Sequence, residues 1–129
     1  MTRTRLTRRG MLRTRSKLPH KRLEQKLDAL WSALVKLRDG GKCQHCGKTF
    51  GLEAHHVIER RYTATRWDLE NGVTLCYHCH DLAHEGWFIF ELRPILAARA
   101  NQYTARTTDY MQQALIGLQL SAKAMEGKR

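Results

Sequence analysis

All four cysteines of this 129-residue chain occur as two Cys-x-x-Cys pairs, Cys43/Cys46 and Cys76/Cys79, with 29 residues between them. Four thiolates in this pattern supply the soft, tetrahedral donor set of a closed structural zinc site. A thioredoxin-like redox use needs only one pair and a strand–helix–strand setting that the sequence lacks. Residues 43–46 must therefore come back against residues 76–79, and whatever lies between has to reverse direction at least once. In a chain this short, with little core to bury, the binding free energy of such an ion adds directly to folding. His45 and His78, inside the pairs, are expected at the surface because the sulfurs suffice.

Six of the seven histidines also fall in the stretch CQHCGKTFGLEAHHVIERRYTATRWDLENGVTLCYHCHDLAH, residues 43–84. That density separates into a sulfur site that holds the fold and an imidazole site that does chemistry. The remaining composition narrows the setting. The net charge of +11 is concentrated in residues 1–22, which hold nine Lys/Arg and no acid, leaving +2 on the rest of the chain. A uniformly cationic body is not indicated, and the basic character belongs to a tail. No apolar run approaches the length of a membrane span, and the start lacks the apolar core of a secretory signal. A reducing, cytoplasmic setting is the expectation, in keeping with paired cysteines that bind metal. Residues 1–18 show no hydrophobic periodicity and read as a basic arm, disordered until it meets polyphosphate, with Arg3, Arg5, Arg8 and Arg9 as candidate phosphate contacts. The same composition also satisfies a mitochondrial transit peptide; the nucleic-acid arm is the preferred reading.

The spacing of Leu23, Leu27, Leu30, Leu34 and Leu37 predicts an amphipathic helix over residues 19–41, opened by Pro19 and stopped by Gly40-Gly41. Its expected role is to pack over the metal module, a dimer-forming coiled coil being the other reading of the same pattern. Lys42–Lys48 reads as a zinc knuckle with a glycine at its turn. A short strand near Glu53–Val57, a long polar loop over residues 58–70, a turn at Asn71-Gly72 and a β-prone run Val73–Leu75 predict an antiparallel ribbon. Cys76–Glu85 has helical spacing and ends at Gly86. Trp87–Phe90 is an apolar run expected to be a buried strand or extended segment lying under the helices. A short helix is expected over residues 94–105, and a last one capped at Thr108 or Asp109, with Met111, Leu115, Leu118, Ala122 and Met125 on one face. The domain division expected is an arm (1–18), a helix (19–41), a core (42–86) and a helical extension packing on the core (87–129). The fold class is small α+β.

Neighbouring residues on a strand point to opposite sides, so His55 and His56 suit two different tasks. His80 and His84, four apart on a helix, share a face. If His55 faces them, three neutral imidazoles hold a divalent cation and leave positions open for water and phosphate. His56, turned away, is free to take a proton near neutral pH. A base, an open metal and a cationic approach path are what phosphodiester hydrolysis requires.

The set His55-His56, Asn71, His80 and His84, framed by two Cys-x-x-Cys pairs, resembles the HNH endonucleases over residues 43–86. Its His-His-x14-Asn-x8-His-x3-His spacing is similar to that of DNase colicins, and the four-cysteine frame is similar to that of phage and bacterial HNH proteins. The resemblance implies a treble-clef-like ββα-metal core with Cys43, Cys46, Cys76 and Cys79 on a structural zinc. It further implies His56 as general base, Asn71 as the residue that pins the loop, and His55 and His80 as ligands of a catalytic metal. His84 matches a third ligand. The catalytic set is then His56, Asn71 and His80, with Arg60, Arg61 and Arg66 facing flanking phosphates. Many members carry an acid where this chain has His55, so magnesium, manganese, nickel and zinc all enter as catalytic ions, with imidazole donors favouring the later metals. The implied partner is DNA, cut to 5′-phosphate and 3′-hydroxyl ends, together with phage packaging or recombination proteins. The implied setting is a bacterial cell and a phage or mobile element, with the chain a monomer or weak dimer. The competing readings are a zinc-stabilised nucleic-acid-binding module without catalysis, and an RNA-associated factor.

Overall fold

The computed structural model describes residues 19–87, 98–99, 102 and 104–127. Helix α1 spans His20–Arg38 and follows Pro19 directly. Its buried side chains are Leu23, Leu27, Trp31, Leu34 and Val35. The leucine stripe expected from the sequence is thus rotated: Leu30 is only partly buried and Leu37 is 39% exposed, while Trp31 and Val35 face inward. Helix α1 ends where Gly40 and Gly41 adopt φ of 70° and 67°, a conformation that costs a residue with a Cβ far more.

Strands β1 (Leu52–His56) and β2 (Gly72–Cys76) form a two-stranded antiparallel ribbon, with Leu52 opposite Cys76 and His56 opposite Gly72. Gly72 is not the turn residue that the Asn71-Gly72 pair suggested. It is the extended first residue of β2, and a Cβ there would lie 2.4 Å from Val35 Cγ2 and 2.8 Å from Trp31 Cζ2. Close approach of the ribbon to α1 is what requires glycine at this position. Asp39 and Arg38 hold the same junction: the Asp39 carboxylate accepts from the Thr74 N–H (2.8 Å), and Arg38 donates to the Leu69 and Gly72 carbonyls (2.6 Å each).

The connection between the strands is more ordered than a long polar loop. It contains a one-turn helix, α2 (Thr63–Arg66), and a 3-10 turn, Leu69–Asn71. Helix α3 (Tyr77–His84) continues from β2 and reverses at Gly86, φ 82°. Trp87 does not enter a buried strand; it closes the end of α3 through its backbone N–H to the Leu82 carbonyl, and its ring is exposed. The rest of that apolar run and most of the helix expected over 94–105 lie outside the described residues.

Helix α4 (Thr108–Glu126) is capped by Thr107, whose hydroxyl accepts from the Tyr110 N–H, one residue before the expected cap. Met111 and Leu118 join Leu23, Leu27, Trp31, Leu34, Val35 and Trp67 in one apolar core, with Leu115, Ala122 and Met125 packed against it. A second cluster, Cys43, Leu75, Cys76 and Cys79, lies on the opposite face of the ribbon. The ribbon therefore has α1 on one side and the cysteine frame on the other. No described helix is long and apolar enough to cross a membrane.

Candidate active site

The cysteine frame is built by two tight turns. The Cys43 N–H donates to the Lys48 carbonyl (2.8 Å) and the Gly47 N–H to the Cys43 carbonyl (2.9 Å), with Gly47 at φ 81°. The second pair stands at the junction of β2 and α3. The four sulfurs lie within 4.8 Å of one another, Cys46 and Cys76 at 3.6 Å. Burial opposes ionisation of Cys43, yet backbone N–H groups of Cys46, Cys76 and His45 directed at its sulfur bring it down to about 6. The Cys79 thiol is pushed up by burial and by the other three sulfurs. A donor set in which one thiolate forms readily and the next resists is what a shared dication relieves. The four positions are consistent with a zinc frame. His45 and His78 are exposed, as expected, and His45 Nδ1 lies 3.5 Å from Cys79 Sγ.

The imidazole cluster lies where β1 crosses α3. His55, buried on the strand, meets His80 and His84 with ring centroids at 5.0 and 5.1 Å. Metal-binding atoms of the three residues lie within 4.8 Å of one another, and Nε2 of His84 is 3.0 Å from Nε2 of His80. Burial first, then the neighbouring His80 and His84, lower the His55 pKa to about 4, so it remains a neutral ligand well below neutral pH. Glu53, two residues before His55 on the same strand, contacts Nδ1 of His80. A carboxylate there accepts the Nδ1–H and leaves the Nε2 lone pair aimed at the cluster, the arrangement that orients metal-bound histidines. The three imidazoles fit a divalent ion.

His56 points the other way. Its ring stacks on Trp31 of α1, centroids 3.9 Å apart and planes 10° apart, and its Nε2 lies 2.9 Å from the Arg66 carbonyl. A carbonyl only accepts, so Nε2 carries the proton and Nδ1 keeps its lone pair. Burial dominates a lowered pKa for His56; the Arg66 and Arg60 charges add to it, while the Arg66 carbonyl and the Asp28 carboxylate act against it. Asn71 is fully buried. Its side chain accepts from the Ile58 N–H (2.7 Å) and donates to the Ile58 and Thr65 carbonyls (3.0 Å each), closing the connection that bears Arg66. The two histidine sites line one cavity of about 720 Å³, whose wall α1 completes with Asp28, Trp31 and Ser32.

The three loop arginines divide. Arg60 is exposed at the cavity rim, and Arg61 is exposed beside Glu59 at 2.9 Å. Arg66 does not face a phosphate path. It is 5% exposed, its guanidinium donates to both oxygens of Asp28 (3.1 and 2.7 Å) and to Glu24 (3.3 Å), and Asp28 also accepts from the Trp67 indole (2.8 Å). Arg3, Arg5, Arg8 and Arg9 lie outside the described residues. Sequence reasoning passed over Glu53, Asp28 and Trp31. The first was accessible from period-two alternation with His55; the other two reach the site only through tertiary packing.

Residues 43–86 match the family model described as HNH endonuclease. Among curated proteins and among solved structures, none matches this chain. The strand bearing His55 and His56, the 3-10 turn bearing Asn71 and the helix bearing His80 and His84, framed by four converging cysteines, are all covered by that match, and residues 43–86 form an HNH domain.

Proposed function

We propose that this protein is a metal-dependent endonuclease that hydrolyses DNA phosphodiester bonds, with Cys43, Cys46, Cys76 and Cys79 holding a structural zinc. His55, His80 and His84 hold the catalytic divalent ion and His56 is the general base. The observation that carries the reading is the division of labour between two neighbouring histidines on one cavity. His55 joins the imidazole cluster, and His56 turns away with Nε2 committed to the Arg66 carbonyl.

When bound, a divalent ion at the imidazole cluster supplies charge stabilisation to the phosphate and the departing oxygen. His56 Nδ1 removes a proton from water as its oxygen joins phosphorus and the bond to the 3′ oxygen breaks, leaving a 5′-phosphate and, after protonation, a 3′-hydroxyl. The Asp28 carboxylate favours the imidazolium so formed. Asn71 keeps the Arg66 carbonyl at its post, and Glu53 keeps His80 in the tautomer that offers Nε2. Arg60 and Arg61 meet flanking phosphates, and the basic arm adds sequence-independent attraction.

The experiment is plasmid nicking by the full chain with magnesium, manganese, nickel or zinc added in turn. Cleavage by the wild type and its loss in His56→Ala, with DNA affinity and circular dichroism retained, is the expected result. Equal cleavage by the variant, or DNA binding without cleavage under every ion, overturns the reading, and the second outcome leaves a zinc-stabilised binding module.

A further inference from the structure

The crossing of β1 and α3 is a ladder. Glu53 meets His80, and His55 sits between His80 and His84, so alternate strand residues step along helix residues spaced by one turn. The ladder has a further rung before these. Tyr77, one turn ahead of His80, lies with the Cδ2–Cε2 edge of its ring over Gly51, two residues ahead of Glu53, and its N–H donates to the Gly51 carbonyl (2.9 Å). A Cβ on Gly51 would sit 3.1 Å from that ring, and Gly51 has φ of 62°, so backbone and side chain both depend on glycine here.

This rung holds no metal ligand. Tyr77 is 60% exposed, Phe50, next to Gly51 in the chain, is 71% exposed, and the Lys48 ammonium lies 6.0 Å from the Phe50 ring centroid. Two exposed aromatic residues and a cation therefore belong to the Gly51–Tyr77 contact, Phe50 as the residue before Gly51 and Tyr77 as the residue that opens α3 three positions before His80. Three residues of helix rise about 4.5 Å and a stacked strand advances about 3.4 Å per nucleotide, so Tyr77 stands one or two nucleotides along from His80. In duplex DNA the faces of the bases are covered by their neighbours, and an aromatic ring can stack only on a base that has left the helix.

We propose that Tyr77 and Phe50, with Lys48, seat an unpaired nucleotide beside the cleavage site, so that the preferred substrate is DNA with single-stranded character rather than uninterrupted duplex. The proposal rests on the DNA-directed reading of the site. Its test is fluorescence anisotropy of the full chain with two labelled DNAs of one sequence, one continuous and one carrying a short single-stranded gap, in parallel with plasmid nicking. Wild type should prefer the gapped DNA. Tyr77→Leu and Phe50→Ser should each weaken gapped binding by about tenfold, the scale of one base–aromatic stack. Duplex binding should be unchanged, and Tyr77→Phe should behave as wild type.

Loss on both DNAs alike, no preference in the wild type, or a Tyr77→Phe variant as weak as Tyr77→Leu overturns the proposal. Phe50→Ser, at an exposed loop position, keeps the test decisive if a Tyr77 variant misfolds. A chain that nicks DNA without discriminating sinks this inference and leaves the nuclease. A chain that discriminates through these rings without nicking does the reverse.

Discussion

Trp31 and His56 stack face to face across the boundary between helix α1 and the HNH domain, 3.9 Å between centroids. The proposed base is thus fixed by a residue outside the family-matched segment 43–86. Trp31 is itself anchored, its indole N–H donating to the Asp68 carbonyl at 2.8 Å.

Replacing Trp31 with Leu should lower the cleavage rate by about two orders of magnitude, since misplacing a reacting group by about 1 Å costs that much. Apparent DNA affinity should change little. Trp31→Phe, which keeps an aromatic face, should retain most of the rate. Single-turnover kinetics at saturating DNA separates rate from binding, and equal losses in both variants would remove the stacking explanation.

Gly72→Ala should destabilise the protein by about 1–3 kcal/mol, the usual range for overpacking, because its new methyl meets Val35 and Trp31. Urea denaturation is the measurement, and a change within error would mean that α1 and the ribbon separate more easily than the structure indicates.

Asn71→Ala leaves the Ile58 amide and two carbonyls without their side-chain partner, which costs about 1–3 kcal/mol per buried group left unsatisfied. Cleavage should fall further than stability requires, because the same loop carries the Arg66 carbonyl that holds His56. Activity assayed well below the variant's melting temperature separates the two effects.

Burial raises the pKa of Asp28, but hydrogen bonds from Arg66 and Trp67 and the guanidinium charge outweigh it, and the native value lies below the usual 3.8. The unfolded carboxyl therefore binds a proton at higher pH than the folded one. The stability it contributes is present above about pH 4 and is lost as the pH falls through the lowered native value. Melting temperatures of the wild type should drop over that acid range more steeply than those of Asp28→Asn, which is less stable at neutral pH. Parallel curves would show that the Asp28–Arg66 pair does not titrate with folding.

Removal of the zinc proposed for the cysteine frame should unfold the middle of the chain, seen as loss of far-ultraviolet circular dichroism with chelator and recovery with zinc. An unchanged spectrum on verified zinc-free protein would assign the frame no structural role.

Much of this arrangement is written in local periodicity. The alternation that sends His55 and His56 to opposite sides, the four-residue spacing of His80 and His84, and the two cysteine pairs are short-range patterns, and the ribbon and α3 realise them. What was not legible depends on partners distant in sequence. Arg66 has the composition of a phosphate contact, and only its apposition to Glu24 and Asp28, some forty residues earlier, makes it a buried strut. Gly72 follows an asparagine as turn glycines do, and only the nearness of Trp31 and Val35 shows that its size matters more than its flexibility. The leucines of α1 outnumber Trp31 and Val35, but the ribbon selects the face.

Helix α3 is eight residues long and serves both donor sets, with Cys79 buried among the sulfurs and His80 among the imidazoles. One residue inserted between them would turn everything beyond it by about 100°, carrying His80 and His84 off Glu53 and His55 together. An insertion in the exposed stretch Glu59–Tyr62 would leave the rungs of the ladder in step. The two centres are therefore bound to a single reading frame of helix rotation, so length variation in chains that keep this site belongs in the connection before α2 and not in α3.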